Sequence, residues 1–200
     1  MAAAPWKEGA SNMSSNSPKN ESTLACANER ATLSDNLLAV TIDGVSVQVK
    51  QGTTILAAAA RAGVKIPTLC FLKDVSNIGS CRMCVCEVTG QQALVPACNT
   101  PVVNGMEVIT DSPRVRVARK MTLELIMANH RTQCLTCVKN GACELQSLCR
   151  AFGIEEDLIA KAALPQKPIL DSNPFLRFDP NLCIACQRCV GACNSIARNH

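Results

Sequence analysis

Tyrosine is missing from this chain of 200 residues, tryptophan occurs once, and aromatic residues make up only 2% of the whole. That scarcity excludes a core built on aromatic packing. It also excludes the aromatic-studded basic groove on which single-stranded nucleic acids stack. A net charge of +4 is too small to supply a phosphate-binding face by itself, so no nucleic-acid partner is expected. Histidine is nearly as rare, with only His130 and His200. No Ser/His/Asp or Cys/His nucleophilic set assembles from them, and neither a G-x-G-x-x-G fingerprint nor a P-loop occurs. No catalytic residue is therefore expected in this chain. No apolar run approaches the roughly 20 residues that span a bilayer, and residues 1–35 carry no secretory signal pattern. The expected location is cytoplasmic.

What the chain has instead is cysteine, fourteen of them. In a reducing compartment, clustered cysteines read as metal ligands rather than disulfides. Residues 1–36 are rich in Ser, Asn and Ala without periodicity and read as a disordered tail, with Cys26 a bystander in it. From Leu37, "LLAVTIDGVSVQVK" alternates about Asp43-Gly44 and predicts a hairpin. "GTTILAAAARAG" predicts a helix opened by Thr53 or Thr54 and closed by Gly63. "CVCEVTG", "ALVPAC" and "MEVIT" supply further short strands, so the fold class is α+β. "DSPRVRVARKMTLELIMANHR" predicts a longer helix capped by Asp111 or Ser112, with an apolar face through Val115, Met121, Leu125 and Ile126. Its Arg114, Arg116, Arg119 and Lys120 read as a solvated basic face, with docking to an acidic partner as the alternative. "CELQSLCRAFG" predicts another helix ending at Gly153, and the segment from Pro165 to Pro180 reads as a link to a last cysteine cluster.

The cysteines fall into three groups. Cys70, Cys81, Cys84 and Cys98 are spaced C-x10-C-x2-C-x13-C, one isolated ligand, one close pair and one distant ligand, which suits a [2Fe–2S] cluster. Gly79, ahead of the pair, lets backbone N–H groups close around an anionic group. His130, Cys134, Cys137 and Cys143 are spaced H-x3-C-x2-C-x5-C, with a turn at Asn140-Gly141 to bring Cys143 back. Three thiolates and one imidazole suit a [4Fe–4S] cluster whose neutral ligand raises its potential. Zinc accepts both ligand sets, so a zinc-stabilised interaction module without redox function is the alternative. Cys183, Cys186, Cys189 and Cys193 match C-x2-C-x2-C-x3-C, the bacterial ferredoxin run, and predict a second [4Fe–4S] cluster. That run ordinarily ends in Cys-Pro, whereas Asn194 follows Cys193 here, which leaves the fourth ligand open between Cys193 and a group from outside the chain. Cys86 and Cys149 read as small buried apolar residues.

Taken together, "IPTLCFLKDVSNIGSCRMCVCEV", "LVPACNTPV", "HRTQCLTCVKNGACELQ" and "CIACQRCVGAC" resemble the iron–sulfur N-terminal region of the complex I large peripheral subunit. The same region is similar to the small diaphorase subunit of NAD-linked hydrogenases and to the front ends of [FeFe] hydrogenases and NAD-dependent formate dehydrogenases. The resemblance implies a β-grasp [2Fe–2S] ferredoxin domain over 37–111, a small helical [4Fe–4S] domain with one histidine and three cysteine ligands over 112–164, and a linker with a partial ferredoxin-like segment over 165–200. It implies an electron-transfer subunit of a multisubunit NAD(P)-linked oxidoreductase, a hetero-oligomer with a flavin- and NAD(P)H-binding subunit and a further redox or catalytic subunit. Relatives continue past the position where this chain reaches His200, which leaves the terminal acceptor unspecified.

Overall fold

The computed structural model of the chain describes residues 37–154 and 165–197. The expectations for residues 1–36, Cys26 included, lie outside the described residues.

Strands β1 (Leu37–Ile42) and β2 (Val45–Lys50) pair antiparallel, Leu37 against Lys50 through Ile42 against Val45. Between them Asp43 and Gly44 both take positive φ, 47° and 84°, the backbone that a two-residue primed turn demands and that Asp-Gly supplies at little cost. Asp43 also ties this turn to the far end of the sheet: its carboxylate accepts from the Thr110 N–H at 2.7 Å and from the Thr110 hydroxyl at 2.5 Å. Helix α1 (Ile55–Arg61) starts where expected, with Thr54 Oγ1 accepting from the Ala57 N–H at 3.3 Å. Ile55, Ala58 and Ala59 face the sheet, and the small alanines allow the close helix–sheet approach that replaces aromatic filling.

Three short strands complete the sheet: β3 (Val85–Val88), β4 (Val95–Pro96) and β5 (Met106–Ile109). The strand order is β2-β1-β5-β3-β4, with β1 and β5 parallel and the other pairs antiparallel. Val40, Ile42, Val49, Val88 and Val108 point from the sheet into one core with Ile55 and Val102.

Helix α2 (Pro113–Asn129) is capped by Ser112, whose hydroxyl accepts from the Val115 N–H at 3.1 Å, with Pro113 in the first turn. Its buried row differs from the expected one. Val115, Arg119, Leu123 and Met127 are buried, four residues apart, whereas Met121 and Leu125 are 56% and 62% exposed. A face drawn by apolar identity alone follows the wrong side, because the i, i+4 row that meets the sheet includes an arginine. The basic cluster is corrected at Arg119 alone, since Arg114, Arg116 and Lys120 are exposed as expected. Arg119 is buried, Arg116 pairs with Asp111 at 2.5 Å, and Arg114 reaches Glu87 and the Gln92 carbonyl.

Helix α3 (Glu144–Ala151) follows, closed by Gly153 at φ 61°. Leu123 and Met127 of α2 meet Leu145 and Cys149 of α3 in a second core, into which Leu69 and Met83 also insert. The segment read as a plain link contains a hairpin, β6 (Leu170–Asn173) with β7 (Leu176–Phe178). Its four prolines flank the strands or sit in the turn, where a missing N–H is harmless, so proline content concealed it. The short helix α4 (Arg188–Ala192) packs on the turn at residues 72–76: a Cβ at Gly191 would stand 3.2 Å from the Val75 carbonyl oxygen. Arg188 pairs with Glu144 of α3 at 2.7 Å.

Candidate functional site

The two cores explain how the first cysteine group is held. Leu69 and Met83, each adjacent to a cysteine, are anchored in the second core, while Cys84 and Cys98 border the first. The loop carrying Cys70, Cys81 and Cys84 is thus fixed from both sides. Cys70, Cys84 and Cys98 are each 1% exposed and Cys81 is half-buried. The Cys70 N–H donates to Cys81 Sγ at 3.4 Å, and the Ala97 N–H donates to the Cys84 carbonyl at 3.0 Å, which sets Cys98 beside Cys84. Gly79 takes φ 64°, a backbone that L side chains rarely adopt, and a Cβ there would come within 2.9 Å of Asn99 Nδ2, so the exposed Asn99 amide would have to move aside.

The four thiols feel one another. A hydrogen bond from the Cys98 thiol outweighs burial and lowers Cys84 to about 6. The same bond, with burial and the charges of Cys84, Cys70 and Cys81, pushes Cys98 far up. Burial raises Cys81. At Cys70 burial also acts upward, but hydrogen bonds from Cys81 and Ser80 outweigh it and the net direction is down. Four sulfurs so close cannot all carry charge without a cation among them. This donor set, soft, buried and ringed by N–H groups, fits an iron–sulfur cluster held by four thiolates. Among the described residues no three His, Cys, Asp or Glu side chains converge on a single mononuclear position.

Cys86 stands apart. It is fully buried on β3, its thiol reaches the Val95 carbonyl at 3.5 Å, and burial pushes it up to about 12, so it packs as a neutral apolar residue as expected. Cys149 is buried in the second core.

His130 caps the C-terminus of α2, its N–H donating to the Met127 carbonyl at 3.3 Å. A single turn of 3-10 helix at Cys134–Thr136 then brings the chain round. Gly141, at φ 80°, is held by Gln146, whose Oε1 accepts from the Gly141 N–H at 3.1 Å while its Nε2 donates to Asn140 at 3.1 Å. His130, Cys134, Cys137 and Cys143 consequently line one cavity. A second cavity joins His130, Cys137 and Cys143 to Cys186. In the third group Cys186 is half-buried and Cys183, Cys189 and Cys193 are exposed; the Ala185 N–H donates to Cys183 Sγ at 3.4 Å.

Sequence reasoning missed the residues that support these groups from afar: Ser80 and Asn99 beside the first loop, Gln146 beneath the second turn, and Arg119. Only Arg119 carried a local signal, its place four residues after Val115 and four before Leu123. Among the described residues no helix is long and apolar enough to cross a membrane.

Two family models match the chain in succession. Residues 35–113 match the 2Fe-2S iron–sulfur cluster binding domain, and residues 119–157 match the NADH-ubiquinone oxidoreductase-G iron–sulfur binding region. The NADPH-Fe(3+) oxidoreductase subunit alpha of Geobacter sulfurreducens is 41% identical over 154 residues, covering 77% of this chain and 18% of that protein. The G 2 subunit of the NADH-quinone oxidoreductase of Rhizobium meliloti is 41% identical over 162 residues, covering 80% of this chain and 19% of its own length. One component of the NADP-reducing hydrogenase of Solidesulfovibrio fructosivorans is 42% identical over 166 residues, covering 80% and 28%. The chain thus spans less than a third of each of these relatives. Among solved structures, the NAD+-reducing [NiFe]-hydrogenase in the H2-reduced state superposes with a TM-score of 0.72 at 36% identity, over 78% of this chain and 65% of that one. The chain thus carries a 2Fe-2S iron–sulfur cluster binding domain followed by an NADH-ubiquinone oxidoreductase-G iron–sulfur binding region, and over that stretch it is similar to subunits of NADH-quinone oxidoreductase and of NADP-reducing hydrogenase.

Proposed function

We propose that this chain is an electron-transfer component of a multisubunit NAD(P)-linked oxidoreductase and relays single electrons between a flavin- and NAD(P)H-binding subunit and a further redox site. The observation that carries this reading is the gathering of Cys70, Cys81, Cys84 and Cys98 within Coulombic reach of one another, followed along the chain by one cavity lined by His130, Cys134, Cys137 and Cys143.

In this reading the sheet, with β1 parallel to β5, is a β-grasp domain over 37–111 whose four cysteines hold a [2Fe–2S] cluster. The helical segment over 112–164 holds a [4Fe–4S] cluster through His130 and three cysteines. The segment over 165–200 holds a second [4Fe–4S] cluster through Cys183, Cys186 and Cys189, with the fourth position left open between Cys193 and a group from outside the chain. Bound there, the clusters would supply one-electron redox chemistry. The residues of the chain do the rest. Leu69, Met83, Cys86 and Val85 keep water from the first cysteine group, and the second core fixes its distance from the second. The Arg188–Glu144 pair and the close seating of Gly191 on the turn at 72–76 hold the third group against both. Fixed separation and dry surroundings are what a protein contributes to electron transfer. The identity to relatives named as subunits of such enzymes supports a hetero-oligomer, and the cysteine usage supports a cytoplasmic location.

The test is anaerobic purification followed by iron, zinc and acid-labile sulfide analysis and electron paramagnetic resonance of the dithionite-reduced protein. Iron with matching sulfide is expected, together with three distinguishable cluster signals, one from [2Fe–2S] and two from [4Fe–4S]. Zinc without sulfide would replace this reading with a structural module. Co-purification from the native source then identifies the partner subunits.

A further inference from the structure

Arg119 breaks the pattern of its own helix row. It is 4% exposed, between Val115 and Leu123, which are fully buried. Its Nη2 donates to the Val85 carbonyl at 2.8 Å, and its Nε is buried without an acceptor. Among the described residues no carboxylate forms an ion pair with it. A guanidinium cannot shed its proton as a buried lysine does, so its charge has to be met by an anion.

Four acidic groups lie within Coulombic reach: Asp111, Cys86, Cys84 and Asp43. Three are already committed. Asp111 holds Arg116 through both oxygens, at 2.8 and 2.5 Å. Asp43 spends both of its oxygens on Thr110. Cys86 is fully buried, and its thiol is committed as a donor to the Val95 carbonyl at 3.5 Å. Cys84 remains, and with it the sulfurs it is grouped with.

We propose that Arg119 is the internal counter-ion of the Cys70, Cys81, Cys84 and Cys98 site and raises its reduction potential, an inference that rests on the iron–sulfur reading above. Four thiolates on [2Fe–2S] carry net negative charge, and reduction adds one more. A fixed cation in a water-poor setting favours the more negative form, and potentials of such clusters follow nearby charge and hydrogen bonding. The Val85 carbonyl fixes the guanidinium one residue from Cys84, so Arg119 is a positioning residue acting through charge. It also lines a cavity with Cys143, so one cation neighbours residues of both cysteine groups.

Full-length holoprotein is prepared as wild type, Arg119→Met and Arg119→Lys. Iron and sulfide are measured first, and their absence from the wild type would end the iron–sulfur reading itself. Each loaded protein is then titrated with dithionite while the reduced [2Fe–2S] signal is followed. The ratio of oxidised to reduced cluster at fixed potential is expected to rise at least tenfold in Arg119→Met, a fall of about 59 mV for a one-electron couple. Arg119→Lys restores most of that shift. An unchanged midpoint in loaded Arg119→Met overturns the proposal, and so does an Arg119→Lys shift as large as that of Arg119→Met. Should Arg119→Met fail to load, amide exchange of the wild-type holoprotein decides. Added negative charge on reduction then tightens the contact, so residues 85–87 and 115–123 gain protection if Arg119 is the counter-ion. Equal protection in both oxidation states overturns it.

Discussion

Cys84 and Cys98 hydrogen-bond through their side chains, and the bond splits two thiols of equal intrinsic acidity: Cys84 falls to about 6 while Cys98 is driven far above the ordinary thiol value of 9.0. The cluster-free protein is therefore expected to carry one thiolate here at neutral pH. Thiolate absorbance in the ultraviolet is expected to show a step with a midpoint near 6 that vanishes in Cys84→Ala and moves upward in Cys98→Ala. The sign of the stability effect follows. From pH 6 to 9 the unfolded pair binds one proton more than the folded pair, so this pair's contribution grows with pH. Above 9 the unfolded pair loses both protons while folded Cys98 keeps its own, and the contribution shrinks. Denaturant titrations of wild type against Cys98→Ala across this range are expected to give a difference that rises and then falls.

Cys86 separates packing from ligation two residues away. Its thiol, pushed up to about 12 by burial, stays protonated and bonds the Val95 carbonyl. Cys86→Ala removes one buried heavy atom and is expected to cost about 1 kcal/mol, the scale of a small core deletion. Its iron and sulfide content is expected to equal that of wild type, whereas Cys84→Ala loses the share of iron and sulfide that belongs to the [2Fe–2S] cluster. Loss of the [2Fe–2S] signal in Cys86→Ala would show that Cys86 ligates the cluster and does not merely pack beside it.

Gly79 is held by backbone and by space together. At φ 64° a side chain costs about 1–2 kcal/mol in steric strain, and a Cβ would meet Asn99 Nδ2 at 2.9 Å. Gly79→Ala is expected to lower stability by at least that strain and to slow cluster loading. Asn99 is exposed, so Gly79→Ala combined with Asn99→Gly relieves the contact and leaves the strain. Comparing the two by thermal denaturation separates these causes; identical losses would assign the whole effect to φ.

Local chemistry makes much of this molecule legible from its residues. Asp43-Gly44 announces a primed turn, Thr54 and Ser112 announce helix starts, and Gly141 announces the turn before Cys143, because each effect acts within a few residues. Spacing likewise identifies the cysteines of the first group, which the fold brings together. The buried row of α2 escapes an apolar count, which cannot weigh an arginine whose partner, the Val85 carbonyl, lies 34 residues away. Asn99 and Ser80 are invisible for a similar reason: their roles exist only once the loop has closed. The β6–β7 hairpin is hidden by prolines that stand outside its ladder.

His130 connects a helix end to the second cysteine group. As the C-cap of α2 it is fixed by the Met127 carbonyl, and it shares a cavity with Cys134, Cys137 and Cys143. If the imidazole ligates, it does so as a neutral donor, and the cluster carries one negative charge fewer than with four thiolates. His130→Cys keeps a four-ligand set but adds that charge, which opposes reduction. Its midpoint is expected to fall by on the order of 100 mV, a fraction of the gap between histidine-ligated and all-cysteine centres. The [2Fe–2S] midpoint, held by other residues, is expected to move far less. Redox titration with paramagnetic resonance reads both centres in one sample. An unaltered cubane midpoint and spectrum in His130→Cys would assign the histidine to helix capping alone.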